Sequence, residues 1–186
     1  MILRPTLLLK KGRDIRSFFA QNASGDFAIY GSGRVALLHG LKLLGISVGD
    51  NVVLPAYICD SATYPFRMLG IEMRFHKTLP NLEPDFADLE GLIDKGTKAI
   101  LGVNYFGFPQ RFDILADICR RRNLFFIEDN AHSFLSRKDS RLLGSFGDIG
   151  FTSLWKLVPV PNGGVLFINN DELRNRDWPL IPPARI

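Results

Sequence analysis

Lys156 is the side chain of this sequence best placed for covalent chemistry. It closes Ser153-Leu154-Trp155-Lys156, at the end of a strand-like run that carries Ile149, Phe151 and Leu154. An amine at the end of a buried strand is open to desolvation, which lowers its pKa and frees a lone pair to form a Schiff base. Three further groups follow apolar runs in the same way. Gly31-Ser32-Gly33-Arg34 stands between a strand pattern and a helix pattern, where free backbone N–H groups and small residues make a cup for an anion such as phosphate. Glu128-Asp129-Asn130-Ala131-His132 follows Leu124-Phe125-Phe126-Ile127, and strand alternation turns Glu128 and Asp129 to opposite faces, leaving one of them to meet a ligand. Pro55-Ala56-Tyr57-Ile58-Cys59-Asp60 offers an aromatic ring at a strand end, suited to covering a planar ligand.

Taken singly, each has an ordinary structural explanation: a solvated lysine, a helix cap, a turn. Together they describe an aromatic heterocycle that bears a phosphate, an aldehyde and a basic ring nitrogen, which is pyridoxal phosphate. The lysine supplies the Schiff base, the carboxylate keeps the ring nitrogen protonated, and the helix start holds the phosphate. A carboxylate–pyridinium pair at about 4 Å and an effective dielectric of ~20 is worth roughly 4 kcal/mol.

These groups need strands to bring them to one edge, and the chain has the pattern for it. Apolar runs at Phe27-Tyr30, Val52-Pro55, Met73-His76, Ala99-Tyr105, Leu124-Glu128, Ile149-Leu154 and Gly164-Asn169 read as seven strands. Helical spacing lies between them, over Arg34 to Leu44, Tyr57 to Leu69, Phe86 to Ile93 and Phe112 to Arg121. The alternation predicts an α/β domain with a mostly parallel sheet, and in such sheets ligands bind beyond the carboxyl ends of the strands. Pro159-Val160-Pro161-Asn162-Gly163-Gly164 is too short for a crossover helix, so the last strand is expected to run antiparallel. Gly45, Gly70, Gly96 and Gly107 are expected to end elements, as residues that tolerate positive φ. Residues 26–171 form the expected domain, after an N-terminal segment of residues 1–25 and before a tail of residues 172–186.

Composition narrows the function classes. With 186 residues, 46% hydrophobic and 23% charged, the chain is an ordinary globular domain. A net charge of +4 is a weak excess, and Arg120-Arg121-Arg122 at a helix end suits the helix dipole better than nucleic acid, so no nucleic-acid partner is expected. No apolar run approaches the ~20 residues of a spanning helix, and the start lacks a leader pattern, so neither membrane insertion nor export is expected. Cys59 and Cys119 lack any C-x-x-C spacing, and Asp129 with His132 lacks a third ligand, so no metal is expected and a cytoplasmic location fits. His39 and His76 are expected to be structural.

The ordered set of motifs resembles the DegT/DnrJ/StrS family of pyridoxal-phosphate sugar aminotransferases, of the type I fold. The likeness is carried by Ser32-Gly33-Arg34-Val35-Ala36-Leu37, Gly49-Asp50-Asn51-Val52-Val53-Leu54-Pro55 and Val103-Asn104-Tyr105-Phe106-Gly107. It continues through Ile127-Glu128-Asp129-Asn130-Ala131-His132, Gly144-Ser145-Phe146-Gly147-Asp148-Ile149-Gly150, and Lys156 ahead of Gly163-Gly164. The resemblance implies that Lys156 bonds the cofactor and shuttles protons, that Asp129 pairs with the ring nitrogen, and that His132 lies beside the cofactor. It implies that Ser32, Ser153 and the backbone of Gly33 and Arg34 hold the phosphate. It further implies transfer of an amino group from an amino acid, usually glutamate, to a keto sugar nucleotide, in a homodimer.

This chain departs from the family pattern at three places. Arg34 stands where relatives usually have Thr, Cys59 stands where a ring-stacking aromatic is common, leaving Tyr57 for stacking, and the stretch from Asp148 to Lys156 is about two residues short. Relatives are about twice as long and continue into a small C-terminal domain, so the expectation is a truncated large domain with the small domain absent. Two rivals stand beside it. One is a non-catalytic remnant that binds a phosphorylated ligand or a partner subunit. The other is a nicotinamide-dependent dehydrogenase, because Gly31-Ser32-Gly33-Arg34-Val35-Ala36 also fits a dinucleotide loop, although the acid expected at the end of the next strand is missing.

Overall fold

The computed structural model describes residues 15–23 and 25–175; most of the expected N-terminal segment and the tail from residue 176 lie outside the described residues. The chain runs α1 (Ile15–Asn22), β1 (Asp26–Tyr30), α2 (Gly33–Leu44), β2 (Asn51–Pro55), α3 (Asp60–Met68), β3 (Glu72–His76), α4 (Phe86–Gly91) and β4 (Thr97–Val103). It continues with α5 (Phe112–Arg122), β5 (Phe125–Asp129), β6 (Arg137–Lys138), β7 (Arg141–Leu142), β8 (Ile149–Ser153), β9 (Gly164–Ile168) and α6 (Asp171–Arg174). Short 3₁₀ turns follow β4 and β8, at Tyr105–Gly107 and Leu154–Lys156.

Seven strands form one sheet in the order β1-β9-β8-β5-β4-β2-β3. Strands β8, β5, β4, β2 and β3 pair in parallel, while β9 is antiparallel to both β8 and β1. All seven predicted strands are present, and β9 has the predicted direction. The run at Ala99-Tyr105 stops at Val103, because Tyr105 turns into the 3₁₀ segment. Strands β2, β8 and β9 are buried at every position, as strands covered on both faces must be.

One core lies where α2 crosses the sheet and includes Leu37, Leu41, Val52, Leu54, Leu101, Ile127 and Ile149. The opposite face is covered by α5, with Leu115, Ile118, Ile100 and Phe126. A third cluster joins Phe19 of α1 to Phe134, Phe167 and Leu154, and so braces the turn that carries Lys156. Ser32 caps α2 by accepting the Val35 N–H at 3.4 Å, and Gly45 closes it in the left-handed conformation. Gly70 and Gly107 are also left-handed, but Gly96 is not; its N–H is held by Asp94 Oδ1 at 2.8 Å instead. The arginine triplet ends α5 and is tied into ion pairs with Asp117 and Glu90.

Two elements lie outside the sequence-based expectation: α1 and the small β6–β7 hairpin. The histidines outside the candidate site are structural, His39 stacked on Tyr30 and His76 buried with Nδ1 beside the Lys77 carbonyl.

Candidate active site

The phosphate-type cup forms where three strand ends meet. The chain leaves β1 at Tyr30, passes through Gly31 and Ser32, and enters α2 at Gly33. As first-turn groups, the Gly33 and Arg34 amides have no carbonyl four residues back within their helix. Because β9 is antiparallel, its first residues start beside the carboxyl ends of β1 and β8: Ser32 bridges Gly163, and Ser153 pairs with Gly164. A Cβ on Gly164 would stand 2.2 Å from the Ser32 carbonyl carbon, and one on Gly33 would meet Ser153 Cβ at 3.1 Å. Side chains are excluded there, so the backbone of α2's first turn closes directly on Ser153.

Strand β5 separates its two carboxylates as alternation requires. Glu128 turns away from the cup and is fully buried, where its oxygens accept from Gly144 N at 2.6 Å, Phe146 N at 2.8 Å and Asn104 Nδ2 at 2.8 Å. It anchors the loop before β8. Asp129 faces the cavity, more than nine-tenths buried, and among the described residues only its Oδ1 receives a hydrogen bond, from Ala131 N at 2.9 Å. Burial pushes its pKa up to about 6, against the downward pull of that N–H and of the Lys156 charge.

Lys156 comes from the 3₁₀ turn after β8, a turn pinned by Leu154 N donating to Gly163 O at 2.9 Å. Its Nζ lies 3.3 Å from His132 Nε2. Burial, and then the Lys156 charge, lowers the His132 pKa, so the ring is neutral at pH 7 and Nε2 accepts from the lysine. The His132 ring stacks on Phe106 at 5.9 Å and 18°. Phe106 has φ +53, a left-handed conformation that costs a non-glycine residue ~1–2 kcal/mol.

All nine residues singled out in the sequence, Ser32, Gly33, Arg34, Tyr57, Cys59, Asp129, His132, Ser153 and Lys156, line one cavity of about 300 Å³. Tyr57 is largely exposed at its mouth, with its ring 5.5 Å from that of Tyr105 and its carbonyl accepting from the Tyr105 hydroxyl at 2.5 Å. Cys59 is exposed beside it. Tyr105, Phe106 and Trp155 also line the cavity, beyond the contacts that the sequence pattern identifies. Their signal was the place after β4 and β8, but an aromatic in an apolar run reads equally well as core. Among the described residues, no group of three or more His, Cys, Asp or Glu side chains is placed to hold a metal.

The profile of the DegT/DnrJ/EryC1/StrS aminotransferase family matches residues 8–178. The chain belongs to that family. It is similar to the GDP-perosamine synthase of Escherichia coli O157:H7, 31% identical over 181 residues that span 94% of this chain and 50% of that protein. It is also similar to the dTDP-4-dehydro-2,3,6-trideoxy-D-glucose 4-aminotransferase of Saccharopolyspora spinosa, 32% identical across 78% of this chain and 38% of that protein. Among solved structures, a DegT DnrJ EryC1 StrS aminotransferase from Brucella abortus superposes with a TM-score of 0.77 at 26% identity, over 85% of this chain and 45% of that one. The E. coli GDP-4-keto-6-deoxy-D-mannose-3-dehydratase, solved with bound hydrated PLP, has a TM-score of 0.75 at 26% identity, over 84% of this chain and 43% of that one. The chain thus spans half or less of the length of these relatives.

The family is PLP-dependent, and the cavity fits the cofactor on its own terms. Among the described residues, one oxygen of a buried carboxylate has no donor, a lysine amine hydrogen-bonds a neutral imidazole, and the start of α2 with Ser32 and Ser153 ends the same cavity. The dehydrogenase rival fails on topology. A dinucleotide fold sets the glycine-loop strand beside the next strand of its βαβ unit, whereas among the described residues β1 pairs with β9 and not with β2.

Proposed function

We propose that this chain is the cofactor-holding part of a PLP-dependent aminotransferase that moves an amino group from a glutamate-like amino acid to a keto sugar nucleotide. One observation carries the reading: Lys156 and Asp129 meet in a single cavity that ends at the Ser32–Gly33–Ser153 cup. When bound, pyridoxal phosphate supplies an electrophilic aldehyde and an electron-withdrawing ring. Lys156 would provide the amine that holds the cofactor and would take a proton from, or return it to, the substrate carbon that bears the nitrogen. Asp129 holds a proton at the ring nitrogen, His132 takes a hydrogen bond from Lys156, and Ser32, Ser153 and the Gly33 and Arg34 amides bind the phosphate. Arg34, exposed at the cup's rim, adds a guanidinium where a hydroxyl would otherwise serve. Tyr57 and Cys59 flank the ring. The aromatic rim of Tyr57, Phe106 and Trp155, each more than half exposed, supports a homodimer with the cavity at its interface. Two unpaired cysteines support a cytoplasmic setting. Among the described residues no helix is long and apolar enough to cross a membrane.

The test is spectroscopic and chemical. Added pyridoxal phosphate is expected to give an absorbance band distinct from that of the free cofactor, and borohydride is expected to fix the cofactor's mass to the peptide that bears Lys156. A Lys156→Ala chain that retains the band and the fixed mass overturns the assignment. Amino acids are then screened for loss of the band. The relatives include GDP-4-keto-6-deoxy-D-mannose 3-dehydratases, so a product that lacks new nitrogen favours dehydration over amino transfer.

A further inference from the structure

Phe106 holds a backbone conformation that burial does not explain. It has φ +53 and ψ +22, Gly107 follows at φ +89, and Phe108 N closes the turn by donating to Tyr105 O at 2.9 Å. Turns with two left-handed central residues are ordinarily built from Gly, Asn or Asp, and a bulky residue there is an outlier. A core role would offset the strain by burying the ring, yet Phe106 is 65% exposed. What the conformation achieves is a contact. The ring lies nearly parallel to the His132 imidazole, 5.9 Å away at 18°, and both residues line the cavity that holds Lys156.

His132 lacks the usual means of holding its ring. Its Nε2 lies 3.3 Å from Lys156 Nζ, and a neutral ring that accepts there carries its proton on Nδ1. In most functional histidines a hydrogen bond at the second nitrogen fixes both tautomer and orientation. Here Nδ1 is buried and, among the described residues, has no partner. The backbone on either side is already locked: Ser133 Oγ donates to Asn104 O at 2.7 Å, and a Cβ on Gly107 would stand 2.7 Å from Ser136 Oγ. The two loops are pressed together, so the plane of the imidazole is what remains to be set.

We propose that Phe106 is a positioning residue whose ring, in place of a hydrogen bond at Nδ1, holds the His132 imidazole so that Nε2 meets Lys156. The strained turn is the device, because it swings Phe106 out of the run that began in β4 and over the imidazole face. A fixed acceptor keeps the lysine amine where a carbonyl carbon can reach it. Only this effect on cofactor attachment rests on the pyridoxal phosphate reading; the orientation of His132 does not.

The test compares the intact chain with two variants that suit a left-handed position but lack the ring, Phe106→Gly and Phe106→Asn, and with Phe106→Tyr as the conservative control. Both small variants relieve the backbone, so their melting temperatures are expected to stay within a few degrees of the wild type. Nitrogen NMR of the imidazoles at pH 7.5 is expected to show His132 protonated on Nδ1 in the wild type and in Phe106→Tyr, and as a mixture of tautomers in the small variants. Pyridoxal phosphate, quenched with borohydride at intervals, is expected to be fixed to Lys156 about tenfold more slowly in the small variants. In a His132→Ala chain, Phe106→Gly is expected to cause no further slowing. An unchanged tautomer in both small variants overturns the proposal. So does equal slowing in the His132→Ala chain, because the ring then acts on Lys156 by another route. Small variants that both unfold overturn it as well, since Phe106 then serves the fold itself. A wild-type chain that never takes up the cofactor refutes the cofactor reading alone, and the imidazole spectra still decide how His132 is held.

Discussion

Asp129 shows how a functional carboxylate trades against stability. Burial raises its pKa from 3.8 to about 6. Between those values the folded chain keeps a proton that the unfolded chain gives up, so this residue's contribution to stability falls as pH rises through the window. Above pH 6 its full penalty stands, on the order of 2–3 kcal/mol, because each tenfold gain in proton affinity corresponds to ~1.4 kcal/mol. Asn at this position carries no charge to desolvate. Asp129→Asn is therefore expected to unfold at higher urea than the wild type at pH 7.5, with the advantage shrinking toward pH 4. Its affinity for pyridoxal phosphate should drop at the same time, because the pyridinium loses its counter-charge. Urea titrations at the two pH values decide the point, and an advantage independent of pH refutes ionised burial of Asp129. Glu128 has the opposite role, since its carboxylate is consumed by backbone donors of the Gly144–Gly147 loop and has nothing left for a ligand.

At the scale of elements, the cup depends on how closely three backbones approach. Gly164 leaves no space for a Cβ, because Ser32 backbone atoms lie within 2.2–2.3 Å of where it would stand. Gly164→Ala must push β9 away from the start of α2, and is expected to cost several kcal/mol, about the range of severe overpacking. Gly33→Ala meets Ser153 Cβ at 3.1 Å and the Thr152 carbonyl oxygen at 3.2 Å, so β8 must give by a smaller displacement than Gly164→Ala demands of β9. That chain is expected to stay folded, with a melting temperature within a few degrees of the wild type and about tenfold weaker affinity for pyridoxal phosphate. Thermal melts paired with cofactor titrations separate the two effects. If Gly33→Ala leaves affinity unchanged, the phosphate lies elsewhere. Helix α1 belongs to this scale too: Phe19 packs with Leu154, the neighbour of Ser153, so a helix distant in sequence steadies the lysine turn.

For the whole molecule, cofactor binding and folding are linked. The site draws on α2, α3, β4, β5, β8 and the segments that follow β1 and β2, so an unfolded chain has no equivalent site, and ligand at ~100 times its dissociation constant should add about 2.7 kcal/mol. A rise of several degrees in melting temperature with pyridoxal phosphate, absent for pyridoxine, is the expected result. Equal shifts with both compounds would show that the aldehyde and phosphate are not what the fold recognises. Much of this arrangement is legible in the chain alone. Seven apolar runs set the strands, the short Pro159–Gly164 link set the direction of β9, and polar residues just past each run marked the site, because strand periodicity and turn chemistry act over a few neighbours. Helix α1 escapes such a reading since its eight residues make about two turns, too few for a pattern to stand out, and the two-residue strands of the hairpin have none. Local pattern also leaves open which of Glu128 and Asp129 faces the cavity, the pairing of β1 with β9, and the meeting of Cys59, Lys156 and Asp129 in one cavity. Those depend on sheet order and on contacts between residues tens of positions apart, which the packing of the two core faces decides and which no short window of residues contains.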